Sequence, residues 1–332
     1  MSMLSTYICY VPKIDNLIDM LDPQGGYMRA LHICEFTTIR VLKEVIALQC
    51  DMVTGLLHRG SAHTDILGYV LNQDYWSTNK QLEIKIKLAR GKYDLLHVHT
   101  STSNAKLLEF VREHSELPIV WDVHDTPNDA VDRSIPSAVI TPSNGYHFDD
   151  RCTTIYSMVP KMLFPEIGSK KIDATVLVSH VDTAPHYRDY RELQLSGASK
   201  DVFIYPTANN PAMQEHYSNL MQVTPYTKML SELPKFAFGY AGAANSRHEI
   251  DVCVTNKFWE YVAAGLPILT YNSKEMSELV ESMWYGVKLE SLSDAYDSIE
   301  DAGKNVADAR FQFTMESQIP EIKKVYKEAM IW

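Results

Sequence analysis

The chain has 332 residues, 45% of them apolar and 22% charged, an ordinary globular make-up that is long enough for two domains at roughly 150 residues each. With 31 Lys+Arg against 42 Asp+Glu the net charge is −11. That balance repels phosphate polyanions on average and excludes a wholly basic nucleic-acid binder. Cysteines at 9, 34, 50, 152 and 253 form no Cys-x-x-Cys pair and leave one over, so neither a zinc ribbon nor a disulfide framework is indicated and a reducing cytoplasm is expected. The first residues lack the pattern of a secretory signal, and no apolar run nears the roughly 20 residues of a membrane span. A soluble chain is expected, at most peripheral to a membrane.

Along the chain, short β-rich runs alternate with polar loops and helical patterns, which predicts α/β architecture with parallel strands. Tyr7 to Val11 reads as a first strand, followed by a loop holding Gly25 and Gly26. A helix is predicted from about Met28 to Leu48, with Leu31, Cys34, Ile39, Leu42, Val45 and Ile46 as its buried stripe. Further strands are expected at Asp51 to Leu57, Asp94 to His99, Pro118 to Val123 and Ser137 to Thr141. These are near-continuous apolar runs of the kind found when both faces of a sheet are covered. His97 and His99 are read as alternating across their strand, so that at most one faces a cleft, and with no third ligand nearby no metal site is expected.

The register restarts near Thr153. Strands are expected at Thr154 to Val159, Ala174 to Ser179, Val202 to Tyr205, Leu220 to Val223, Phe236 to Tyr240 and Pro267 to Thr270, and helices at Tyr226 to Leu233, Asn256 to Ala264 and Ser273 to Ser282. The proline-punctuated stretch from Lys161 to Lys171 marks the boundary. The expected organisation is a first Rossmann-like domain over 1–160, a second over 161–312, and a C-terminal helix over 313–332 that packs back on the first.

The sharpest local signal is the run from Thr255 to Leu269, TNKFWEYVAAGLPIL, where a helix opens near Asn256, closes at Gly265 and feeds a strand. A helix opening presents unpaired N–H groups and partial positive charge to an anion such as a diphosphate. Lys257 adds a cation, and Glu260, one turn on, has a carboxylate able to accept from a vicinal diol. On helix physics alone, Asn256 as a cap, a solvated Lys257 and a surface Glu260 remain open.

This segment resembles the NKLFEYLAAGKPVI-type signature of GT-B glycosyltransferases, in particular the large retaining family that uses nucleotide-sugar donors. Three more stretches resemble the same family in order: YDLLHVH (93–99), PIVWDVHD (118–125) and the helix–strand unit PYTKMLSELPKFAFG (225–239). The resemblance implies that Glu260 binds the donor ribose, that Asn256 and Lys257 lie beside the diphosphate, and that His124 approaches the donor sugar from the first lobe. It makes Gly25 and Gly26 the loop that lets backbone approach sugar and phosphate, although a simple turn explains the pair as well. The family's Gly-Arg and following lysine are missing after the strand ending Leu177-Val-Ser-His-Val-Asp182, with Arg188 or Arg191 as replacements. The first glutamate of its E-x7-E pair is replaced by Val252.

The resemblance implies a glycosyltransferase moving a sugar from a nucleotide-sugar co-substrate, a UDP-sugar ahead of a GDP-sugar, to an unidentified acceptor, by retention and with no metal or other cofactor. No two aspartates stand one residue apart, so the Asp-x-Asp metal motif of the other major glycosyltransferase fold is absent. Were the enzyme inverting, Asp122, His124 and Asp125, at a strand's carboxyl end, would supply the base. Tyr205 and Tyr226 are candidates to flank a nucleobase or simply to pack. Lys80, Lys85, Lys87, Arg90 and Lys92 against Glu83 form a basic stretch suited to nucleic acid or to an anionic membrane face, or merely a solvated helix face. That stretch keeps open a phage-type transferase acting on hydroxymethylated bases in DNA. A nucleotide-sugar epimerase and a non-catalytic sugar-nucleotide-binding subunit are also compatible with the sequence.

Overall fold

A computed structural model describes residues 27–61, 63–100, 105–124, 131–168, 171–182, 188–195, 201–208, 211–246, 250, 253–292 and 300–331. The first strand expected at 7–11, the glycine pair and Asp125 lie outside them. The described residues form two parallel sheets. In the first, β1 (Arg29–Thr37), β2 (Val53–Ser61), β3 (Gln73–Tyr75), β4 (Leu95–Thr100), β5 (Ile119–Val123), β6 (Ala138–Thr141) and β7 (Cys152–Thr154) are ordered β3-β2-β1-β4-β5-β6-β7. In the second, β8 (Ile172–Ser179), β9 (Val202–Pro206), β10 (Phe236–Tyr240), β11 (Ile268–Thr270) and β12 (Gly286–Lys288) are ordered β12-β11-β10-β8-β9. Chain order reverses between β1 and β4 and again between β8 and β10. Open α/β sheets leave their ligand crevice at such switch points, outside the carboxyl ends of the strands.

The largest departure from the sequence reading is β1. Residues 29–37, expected as the opening turns of a helix, are the strand on which the first sheet is centred, and helix α1 (Ile39–Leu48) begins only after Thr38 caps it by accepting from Val41 N. The stripe at Leu31 and Cys34 fits a period of 3.6, but the run is apolar on both faces: Ala30 and Cys34 enter one core, Leu31 and Ile33 the other. Burial on two faces erases the alternation that identifies a strand. As a result Gly25 and Gly26 precede this strand in sequence, and only Thr38 separates it from α1.

The segment expected as a strand over 154–159 instead contributes only Thr154, to edge strand β7 of the first sheet. The run at 220–223 makes a single bridge from Leu220 to Ile204.

Helix α2 (Thr64–Leu67) comes after β2, and α3 (Asn79–Ala89) and α4 (Ala105–His114) cover the first-sheet face carrying Leu96, Val98 and Trp121. In the second lobe come α5 (Arg191–Leu195), α6 (Tyr226–Glu232), α7 (Asn256–Ala263), α8 (Lys274–Met283) and α9 (Glu300–Ala309). The chain then returns to lay α10 (Ile319–Ile331) against β5 and β6, burying Ile319, Ile322, Val325, Tyr326 and Ala329. The outgoing and returning segments are stitched together: Met315 N donates to Val159 O at 3.2 Å, and Lys161 N donates to the Glu316 carboxylate at 3.0 Å. One apolar core runs from α1 through this junction to α7.

Candidate functional site

The run that stands out in the sequence forms the expected helix and strand. Gly265, at φ 66°, closes α7, its N–H bonding Val262 O while the Leu266 N–H bonds Tyr261 O, both at 3.0 Å. This is a Schellman closure, which favours glycine at that position. Strand β11 comes directly after it, so the helix is clamped at its carboxyl end by sheet.

The polar residues of α7 are enclosed at the junction of the lobes. Glu260 Oε1 accepts from Lys43 Nζ of α1 and from Tyr226 OH of α6, both at 3.1 Å. Lys43 also donates to Ser157 O at 3.2 Å, and it is fully buried, while Glu260 is 3% exposed. Burial pushes the Lys43 ammonium down from its usual pKa, with Glu260 opposing. Lys257 is also buried, its Nζ 3.2 Å from Tyr190 OH and over that ring. Thr255 precedes the helix without capping it by its side chain, although its carbonyl accepts from Phe258 N at 3.1 Å. Further contacts join the lobes nearby: Thr227 N donates to Asp65 at 2.9 Å, Ser143 bonds Glu275, and the Tyr156 ring lies 5.1 Å from that of Trp259.

Lys43 lies five residues into α1 from its cap and Glu260 four into α7 from Asn256, so both helix openings stand about 6–8 Å along from the ion pair. On the first lobe that opening meets the switch point, where Thr38 Oγ1 lies 3.4 Å from His124 Nδ1. His124 sits on a graded polar support. Its Nε2 is 3.3 Å from His99 Nδ1 and 3.7 Å from Asp122 Oδ2. Asp122 is fully buried and receives Arg40 Nε on both oxygens at 3.0 and 3.1 Å, while Arg40 Nη1 donates to Ile155 O at 2.8 Å. Although burial opposes its charge, Arg40 and the adjoining histidines hold the Asp122 carboxyl well below the usual range.

His97 and His99 do not face opposite ways. Residues two apart on a strand share a face, and the rings stack with centroids 4.3 Å apart. Register places His32 of β1 beside His97 and Asp122 of β5 beside His99, all on the face covered by α1 and α10. Burial pushes the His99 imidazole down to about 4, against its opposing hydrogen bond to the Asp122 carboxylate, and burial also holds His32 and His97 well below the usual range. Sequence reasoning missed His32, Arg40, Lys43 and Tyr326; same-face parity at His97 and His99 was the signal available.

The remaining candidates are dispersed. Tyr205 is buried, its hydroxyl 2.6 Å from Glu232 Oε2, and Tyr226 is taken up by Glu260. Arg191 is bound by its neighbour Asp189 at 2.6 Å, and the Arg188 carbonyl accepts from Asp182 N at 3.1 Å. Beyond the carboxyl ends of β8 and β9 opens a cavity of about 380 Å³ lined by Val181, Pro206, Pro211, Gln214, Leu220 and Val223 among others. In the basic stretch, Lys80 and Lys87 pair with Glu83 at 3.0 and 2.6 Å, Lys85 pairs with Asp74, and Arg90 lies 3.2 Å from Glu116. Much of the stretch's positive charge is thereby neutralised on the spot.

Solved structures share this fold over about nine-tenths of the chain. HepE of Anabaena, crystallised with UDP and glucose, matches with a TM-score of 0.59 at 13% identity, over 90% of this chain and 100% of that one. A glycosyltransferase from Rickettsia africae matches at 0.60 and 10% identity, over 92% and 99%. The fold is GT-B. An alpha-glucosyltransferase solved with UDP and a 13-mer DNA also shares GT-B architecture, at 0.55 and 12% identity over 92% and 94%. No family model matches the chain, and no curated protein matches it in sequence. Among the described residues no helix is long and apolar enough to cross a membrane.

Proposed function

We propose that the protein is a glycosyltransferase that moves a sugar from a nucleotide-sugar donor, a UDP-sugar ahead of a GDP-sugar, to an acceptor bound by the first lobe. The observation that carries this reading is the placement of α7, the segment with the family-like signature, at the junction of two GT-B lobes spanning the full length of a UDP-bound relative. Donor binding is proposed to part the lobes at the Lys43–Glu260 pair, so that a ribose diol replaces the ammonium on Glu260. The opening of α7 and Lys257 would then face the diphosphate, where fixed N–H dipoles and a cation favour the charge that grows on the leaving group. The cavity beyond β8 and β9 offers room for the base.

His124 is proposed to meet the donor sugar, held in place by Thr38, His99 and Asp122. Retention is preferred because the leaving phosphate oxygen can take the acceptor proton on the same face, which leaves Asp122 free to remain an ion paired with Arg40. The transfer is read as needing no metal at the diphosphate. Once the donor is seated, re-closure of the lobes around it would exclude water, the competing acceptor.

A panel of UDP-, GDP- and TDP-sugars tests this by thermal shift, since a ligand that binds only the native state raises the melting point. At least one nucleotide sugar should stabilise the protein, Glu260→Gln should weaken that binding, and His124→Ala should slow transfer more than it weakens binding. The reading fails if no nucleotide sugar binds. A second reading, a transferase acting on DNA, draws on the DNA-bound GT-B relative. It requires salt-dependent binding of duplex DNA, and the internal pairing of the basic stretch argues against that stretch as the contact surface.

A further inference from the structure

We infer that His32, Glu44, His97 and His99 form a binding site for one divalent transition-metal ion, with zinc the best fit to the donors. The site lies under α10, inside the first lobe, and meets the proposed donor site only through His99 and Asp122.

All four side chains are buried, none more than 3% exposed. One ligand atom from each lies within 4.8 Å of the others. Around a tetrahedral ion with bonds of 2.0–2.1 Å, ligand atoms stand about 3.3 Å apart. Two pairs already have nearly that spacing: His32 Nδ1 to His99 Nε2 at 2.9 Å, and His97 Nδ1 to Glu44 Oε1 at 3.2 Å. Coordination exchanges the His32–His99 hydrogen bond for two metal bonds and turns those rings toward a shared centre.

Glu44 supplies the independent reason to expect a cation. Neither of its oxygens makes a well-formed hydrogen bond among the described residues, although the side chain is fully buried, with His97 Nδ1 at 3.2 Å and the Asp122 carboxylate close by. Burial and the neighbouring Asp122 push the Glu44 carboxyl well above its usual range, so it is costly as an ion and is neutralised either by a proton or by a counter-charge such as a bound cation. The cations nearest in the fold are already engaged, Arg40 by Asp122 and Lys43 by Glu260.

The outer contacts have the form that orients metal-binding imidazoles. Asp122 Oδ2 lies 3.1 Å from His99 Nδ1, which fixes the proton there and turns the Nε2 lone pair toward His32. Tyr326 OH, brought by α10, lies 3.5 Å from His32 Nε2, the nitrogen facing away from the shared centre, and its 2.7 Å contact with His97 Nδ1 is one that the ion would displace. Three imidazoles and one carboxylate suit zinc and exclude magnesium or calcium, which take oxygen ligands. The ion ties β1, β4 and α1 together and, through His99, stiffens the base on which His124 rests.

The test uses the full chain, stripped with a chelator and then titrated with Zn²⁺ against a chromophoric competitor. One equivalent per chain should bind and raise the melting temperature. Glu44→Gln and His97→Asn should each weaken binding by about 100-fold or more, comparable to or beyond the loss seen for outer-shell partners, whereas His114→Gln, on the outer surface, should not. Uptake below half an equivalent overturns the inference, as does unchanged affinity in both variants. Should the variants fail to fold, Co²⁺ in the wild-type protein decides: intense four-coordinate visible bands support the site, and the weak spectrum of a six-coordinate ion refutes it.

Discussion

Replacing Lys43 by methionine keeps the aliphatic stem and deletes only the ammonium, so it isolates the ion pair that joins the lobes. Glu260, 3% exposed, would then retain only the Tyr226 hydroxyl at 3.1 Å. Removing one partner of a buried pair costs about 3–5 kcal/mol, because the survivor stays charged in a dry site. For 332 residues, an unfolding entropy of about 2.1 cal/mol/K per residue gives roughly 0.7 kcal/mol/K, and the melting temperature should fall by about 4–7 °C if both lobes unfold together. The double variant Lys43→Met with Glu260→Gln removes the stranded charge and should recover more than half of the loss, a non-additivity that only contacting residues show. Calorimetry and urea unfolding of the four proteins measure the cycle. A loss under about 1 kcal/mol for Lys43→Met, or strict additivity in the double variant, would falsify the account of a dry interlobe pair.

Arg40→Met should destabilise by a similar 3–5 kcal/mol or so, since it strands the fully buried Asp122, and Arg40→Lys should restore little of it because an ammonium cannot reproduce the planar fork on both oxygens; equilibrium unfolding distinguishes these. Gly265→Ala places a side chain at φ 66° and against Ile167, and should cost about 1–2 kcal/mol from backbone strain alone, read as a lowered melting temperature. Cys34, buried and with its thiol pushed up by burial, should resist iodoacetamide in the native protein while the exposed Cys50 reacts. The Cys50 thiol is itself raised, by partial burial and then by Glu316 and Asp51, so Glu316→Gln should speed its alkylation near pH 8, as peptide mapping would record.

How much of the molecule is legible in its sequence depends on the range of the interactions concerned. The α7–β11 unit was legible because its signals are local: an apolar stripe, a glycine at the helix end and an apolar run behind it. The central strand β1 was not, since its two buried faces satisfied a helical period by coincidence. Lys43 was hidden for another reason. Its partner stands 217 residues away, and nothing near Lys43 marks it as buried rather than solvated. The histidine cluster falls between these cases. The shared face of His97 and His99 is a matter of strand parity, but His32 and Tyr326 join them only through strand order and the return of α10.

The path of the chain also bears on how the molecule is made. Among the described residues the first lobe's sheet is complete by Thr154, yet one of the two helices that cover its histidine-bearing face follows the whole second lobe in the chain. During synthesis that face must wait, with its imidazoles and the Glu44 carboxylate still open to water, until the second lobe has emerged. A fragment ending in the crossover near residue 160 should therefore behave as an unfinished shell rather than an autonomous module, with α10 as the keystone it lacks.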